Sequence, residues 1–184
     1  MAREEKQLVA LFDSSVPVFR QGLVNLLTIV DKAERCCLDR EMPAAWVLEA
    51  RLAETMYSFS EQVRTTANTA VAAAYRIAGL EPPEPAETPS DFDEIRTMLV
   101  DSQARIDAIL PAQVASAGEQ VQFTAMGTIE ITFAQRSDYL QKFILPNFYF
   151  HLTTAYAIAR HLGVELEKRD FLGDIGAQIK PVTA

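Results

Sequence analysis

The sequence predicts a mainly α protein, a four-helix bundle with one small β-hairpin between the third and fourth long helices. Three observations predict it. Four segments carry apolar residues at helical spacing. Proline, glycine and acidic residues separate them. One stretch alone, VQFTAMGTIEITFA, changes to a period of two around a glycine. At 184 residues the chain fits a single domain over 1–184, with the bundle at about 11–173 and peripheral termini. A chain of this length buries roughly two thirds of its unfolded surface, so it needs no disulfide or metal staple.

The first helix follows SSVPVF. Ser15 suits a cap, Pro17 suits the first turn, and Val16, Phe19, Leu23, Leu26, Val30, Ala33 and Cys37 form one stripe. Arg20, Asn25, Lys32 and Glu34 fill much of the other side. After LDREMP, a short helical piece (AAWVLEARL) leads into a second long helix over about 57–78. Its stripe of Phe59, Val63, Thr66, Ala70, Ala73 and Ile77 is rich in small residues, so a neighbour can approach closely. Gly79 ends it, and the acidic, proline-rich EPPEPAETPS reads as a linker long enough to cross the end of a bundle. Thr88-Pro89-Ser90-Asp91 carries a capping signature with proline at the first helical position. The third helix then shows Phe92, Ile95, Leu99, Ile106 and Ile109, and stops at Pro111.

In the alternating stretch, Val121, Phe123 and Ala125 face Ile129, Ile131 and Phe133 across Met126-Gly127. Two strands alone are marginal, so this hairpin must pack on the helices. The last helical region starts at Ser137-Asp138 and ends at Gly163. Pro146 either kinks it or opens a longer helix.

A net charge of −8 and a pI near 4.8, without a local Lys/Arg stripe, exclude nucleic acid as a partner. The opening MAREEKQLVALFDSS lacks the apolar core of a secretory signal, and no run is long and apolar enough to span a membrane. The only cysteines, Cys36 and Cys37, are adjacent, which suits two reduced thiols in the cytoplasm rather than a disulfide. Neither G-x-S-x-G nor the phosphate-cradling glycine patterns occur. Acidic residues are plentiful, yet most on the helices lie on solvated faces.

Both histidines lie in NFYFHLTTAYAIARHLG. His151 and His161 are ten residues apart, hence about 15 Å apart along a helix and about 80° apart around it. They cannot bind one ion from a single helix. His161, beside Arg160 in the last turn, reads as a cation favoured by the helix end. His151 shares its face with Asn147, Thr154, Ala155, Ile158 and Leu162, which places it inward with polar neighbours. Tyr149, Thr153, Tyr156 and Arg160 fall opposite, and the two tyrosines suit a subunit interface. A buried polar group needs partners, and Gln62 and Thr66 of the second long helix are the natural correspondents.

NFYFHLTTAYAIARH, the closing KRDFLG, the opening SVPVFRQGL and the AGLEPPE linker together resemble an uncharacterised family of the DinB/YfiT-like superfamily, over roughly 11–173. The resemblance implies a four-helix bundle, often dimeric, of a kind in which many members hold a divalent metal with three histidines. One comes from the second helix and two from the last at H-x-x-x-H spacing; some relatives are thiol-dependent transferases or isomerases. By position this triad falls on Gln62, Asn147 and His151, of which one alone is a histidine. Neutral amides are poor ligands for zinc-like ions, so any divalent metal there binds weakly and no cofactor is expected. The expected protein is thus a cytoplasmic homodimer that binds a small molecule in an internal polar pocket of His151, Asn147, Gln62, Thr66 and Thr154. The alternatives are a metal-assisted or histidine-based transferase acting on a small thiol or related substrate, and a structural dimerisation module.

Overall fold

The predicted stripes build the observed helices. The computed structural model describes residues 11–125 and 127–177; the first ten residues of the opening stretch, and Met126 of the hairpin turn, lie outside them. Helix α1 is Val16–Asp39, and every residue of its predicted stripe is buried. Ser15 does not cap it: the Ser15 hydroxyl donates backwards to the carbonyl of Leu11 at 2.6 Å, because a helical turn already precedes it. The short piece shrinks to α2, Ala45–Leu48. The second long helix, α3, is Phe59–Ile77 and starts in a full capping box between Ser58 and Glu61. Helix α4 is Phe92–Asp107, capped by Asp91, whose carboxylate accepts from the Glu94 N–H at 2.8 Å. Thr88 therefore lies upstream of the helix, where its hydroxyl accepts from Arg64.

Pro111 ends nothing further. It opens a short helix, α5 (Pro111–Ser116), because a missing N–H costs nothing at a first helical position. Strands β1 (Val121–Ala125) and β2 (Ile129–Phe133) pair antiparallel with Val121 opposite Phe133 and Ala125 opposite Ile129. Phe123 and Phe133 pack against Tyr139 and Phe143, which supplies the helical support a lone hairpin requires. The final helical region starts with α6 (Arg136–Asp138), passes through a π-helical segment (Tyr139–Ile144) and continues as α7 (Leu145–His161). Pro146 therefore lies within the first turn of α7, directly after the wider π register. Proline has no N–H for the carbonyl four residues back, and the wider register is one way a helix accommodates that loss.

Four long helices form a ring of contacts, α1 to α4, α4 to α3, α3 to α7 and α7 to α1. The core is apolar and fully enclosed, with Phe19, Leu23, Leu26, Phe59, Ile95 and Phe148 at its centre. At Gly22 a Cβ would lie 2.5 Å from the Phe148 ring, so α1 and α7 meet there because no side chain intervenes.

The proline-rich linker departs from expectation. It runs back along α3 rather than across an end. Asn68 exchanges two hydrogen bonds with the Ala86 backbone, and Ser60 donates to the Pro89 carbonyl at 2.6 Å. Helix α4 consequently starts beside the N-terminal end of α3 and runs parallel to it. Extended proline-rich chain rises about twice as far per residue as a helix, so a short linker retraces a long helix.

The closing KRDFLG forms α8 (Lys168–Leu172), which lies on α1. Asn25, predicted among the polar outer residues, is buried beneath it and donates to the Phe171 carbonyl at 2.8 Å. Gly173, at φ 64°, leaves no room for a Cβ against Asn25. Lys32 ties down the same segment through Asp170 at 2.7 Å. Cys36 and Cys37 are free thiols, and burial pushes the Cys37 thiol up, away from reactive thiolate character.

Candidate functional site

Helix α7 places His151 one position off the line of deepest burial. Phe148, Leu152, Ala155 and Ile158 face the core, and His151 sits half-buried at its edge. It is thus less inward than the helical wheel suggests, because the core line passes through its larger apolar neighbours. Across the interface, α3 presents Gln62, which is 1% exposed.

The His151 Nδ1 lies 2.7 Å from the Gln62 Oε1. On its other side the Gln62 Nε2 donates to the Tyr57 carbonyl at 3.4 Å. A carbonyl only accepts, so this contact orients the amide with its oxygen toward His151. The imidazole must then donate from Nδ1, and its lone pair resides on Nε2. Burial lowers the His151 pKa, which favours this neutral tautomer at neutral pH. The Tyr57 ring stacks on the imidazole at 6.1 Å, and the Phe150 ring meets it edge-on at 5.2 Å. Both aromatics are largely exposed, so the imidazole is bracketed by rings that border solvent.

The remaining predicted residues do not converge on His151. Asn147 donates to the Thr69 hydroxyl at 3.2 Å, two turns along α3 from Gln62. The pairings of 62 with 151 and 69 with 147 show that α3 and α7 run antiparallel. Thr66 turns its hydroxyl back to the Gln62 carbonyl, and Thr154 does the same to Phe150. Such local bonds satisfy buried hydroxyls without any partner across the interface.

A cleft of about 920 Å³ opens beside this dyad, between α3, α4, the linker and the π-helical segment. Asn147 and Tyr57 line it, whereas His151 and Gln62 do not. This cleft is therefore next to the dyad rather than around it.

The donor set suits a metal poorly. Gln62 has already engaged its oxygen with an N–H, and the Asn147 amide is turned to Thr69. Among the described residues, no three His, Cys, Asp or Glu side chains are grouped to hold an ion.

Sequence reasoning missed Tyr57 and Phe150 as the brackets of His151, although YSFSEQ contains the capping box that fixes the first of them. It also missed Arg136, which is 1% exposed and donates to the carbonyls of Ile77 and Val114 at 2.8 and 2.6 Å. Nothing in the local sequence marks that arginine as buried.

Helices, hairpin and paired α3–α7 faces together define a DinB-like helical protein. A crystal structure of a DinB family member from Shewanella denitrificans matches with a TM-score of 0.81 and 27% identity, over 96% of this chain and 99% of that one. No match was found among curated proteins. The chain belongs to the DUF1993 family, a domain of unknown function whose model matches residues 11–172. Among the described residues no helix is long and apolar enough to cross a membrane.

Proposed function

We propose that this DinB-like protein binds a small molecule beside the neutral imidazole of His151, and that no metal resides there. The observation that carries the reading is the relay from the Tyr57 carbonyl through Gln62 to the His151 Nδ1, which leaves Nε2 as a fixed acceptor. Tyr57 belongs both to this relay and to the cleft wall, so a ligand lying in the cleft extends to the imidazole along that ring. Asn147 adds a second polar contact in the cleft. Thr66 and Thr154 shape the surroundings, with their hydroxyls already satisfied. Two neutral amides in place of histidines favour organic hydrogen-bonding groups over a divalent ion.

A second reading follows from the same lone pair. An imidazole held neutral at Nε2 can take a proton from a small thiol and so support a histidine-based transferase. The exposed Tyr149 and Phe150 on the neighbouring face support a homodimer.

Nitrogen-15 NMR of His151 tests the proposal directly. At pH 8 the Nδ1–H tautomer is expected, and a small-fragment library should produce shifts at Tyr57, Asn147 and His151 that vanish in His151→Phe. A stoichiometric, tightly held metal in the purified protein, or a dominant Nε2–H tautomer, would sink it.

A further inference from the structure

Arg76 lies in the last turn of α3, at the opposite end of the helix from Gln62. Its guanidinium covers the Phe123 ring, 4.2 Å from the centroid. Among the described residues it forms no ion pair with a carboxylate. The other arginines along the cleft are engaged, Arg64 with Thr88 and Arg105 with Asp101. Helix capping does not account for Arg76 either. The N–H groups of Ala78, Leu80 and Gly79 already serve the carbonyls of Ala74, Tyr75 and Arg76, and Arg136 serves Ile77.

Beside it lies a second donor without an acceptor. Tyr139 is 0% exposed and its hydroxyl proton has no acceptor. Burial raises the pKa of this phenol, and the Arg76 guanidinium, first as a hydrogen-bond donor to the phenol oxygen and then as a charge, offsets part of that rise. The hydroxyl is therefore a protonated donor at neutral pH. A charged donor without a carboxylate thus stands beside a buried hydroxyl whose own proton has no acceptor. Phe123 and Phe143 pack on the Tyr139 ring and also line the large cleft. Arg76, Pro82 and Phe123 further border a second cavity, of about 570 Å³, beside β1. Arg76 therefore stands at the neck between two cavities.

We propose that this neck binds the carboxylate of an amphipathic organic acid on the Arg76 guanidinium, with the buried Tyr139 hydroxyl behind it as a positioning group and the apolar body lying in the large cleft. A planar guanidinium matches a carboxylate with two parallel hydrogen bonds. Phe143, Val71, Ala72 and Met98 supply the apolar wall. A dianion such as a phosphate ester fits less well. Asp91, Asp93, Glu94 and Asp101 line the same cleft, so each added negative charge is opposed. The carboxylate end lies at the far end of α3 from Gln62; it shares the cleft with the ligand proposed for His151 but does not depend on that imidazole.

Titration of the full chain at pH 7.5 with 2-naphthoate, 2-naphthamide and 2-naphthyl phosphate tests the proposal. The acid should bind at least about ten-fold tighter than the amide, with amide-proton shifts at Arg76, Phe123 and Phe143. Arg76→Met should abolish that preference. Tyr139→Phe should weaken the acid about three- to ten-fold and leave the amide unchanged. Equal affinity for acid and amide in the unmodified protein overturns the proposal whether or not the variants fold. So does a preference that survives Arg76→Met, tighter binding of the phosphate, or no response to millimolar acid.

Discussion

At His151 one amide orientation decides the chemistry. Replacing Gln62 by Ala strands the Nδ1 donor at a half-buried position and should cost about 1 kcal/mol, read as a lower urea midpoint. Gln62→Glu should reverse the electrostatics instead. A carboxylate beside Nδ1 favours the imidazolium, so the His151 pKa should move from below its ordinary value to above it, which a proton NMR titration follows. This pairing was legible in part. The helical stripe of α3 pointed to Gln62, but the direction of its amide depends on the Tyr57 carbonyl, five residues away and outside any periodic pattern.

Two features of the elements carry stability beyond the apolar stripes. Arg136 holds the C-terminal end of α3 and the carbonyl of Val114 in α5, linking both to the start of the last helical region. Its Nε makes no hydrogen bond and one Nη has only an ion pair with Glu119 at 3.6 Å, so its burial is not free of cost. Arg136→Met relieves that desolvation but orphans two carbonyls, and a net loss of about 2 kcal/mol in urea unfolding is expected. At Gly22, alanine would gain about 1 kcal/mol of helix propensity. The inserted methyl meets the Phe148 ring at 2.5 Å inside a packed core, so the overpacking cost of about 1–3 kcal/mol should win and lower the melting temperature. The hydrophobic periods were legible because burial of one face is a local property of spacing. The route of the linker was not, because EPPEPAETPS specifies an extended chain without specifying what it lies against.

Across the whole molecule, stability should fall in two stages on acidification. His151 has a folded pKa below its unfolded value, so its contribution is fully present above about pH 6.5 and is lost as pH falls below it. Circular-dichroism melts at pH 7.5 and 5.5 should show a drop that shrinks in His151→Gln. The second stage comes from carboxylates. Burial opposes ionisation of Asp170, but hydrogen bonds from Lys32 and the Glu167 N–H outweigh it and lower the pKa. Backbone and side-chain hydrogen bonds from Ser58, aided by Arg51 and Arg64, likewise lower Glu61. Depressed carboxylates stabilise above their unfolded values near pH 4, and that stability goes as pH falls through the folded ones. Asp170→Asn should therefore blunt the second stage and leave the first.

By itself the sequence determined the helices, the hairpin and the buried stripes, because period and capping are read within a few residues of chain. It also placed amides, Gln62 and Asn147, at two of the three positions where the resemblance implies histidines. Only the tertiary structure decided that α4 runs parallel to α3, that Arg136 and Asn25 are buried, that His151 sits at the core's edge, and that the large cleft runs toward Arg76. Each of those depends on which segment lies against another, and contacts between distant residues leave no periodic trace in a single chain.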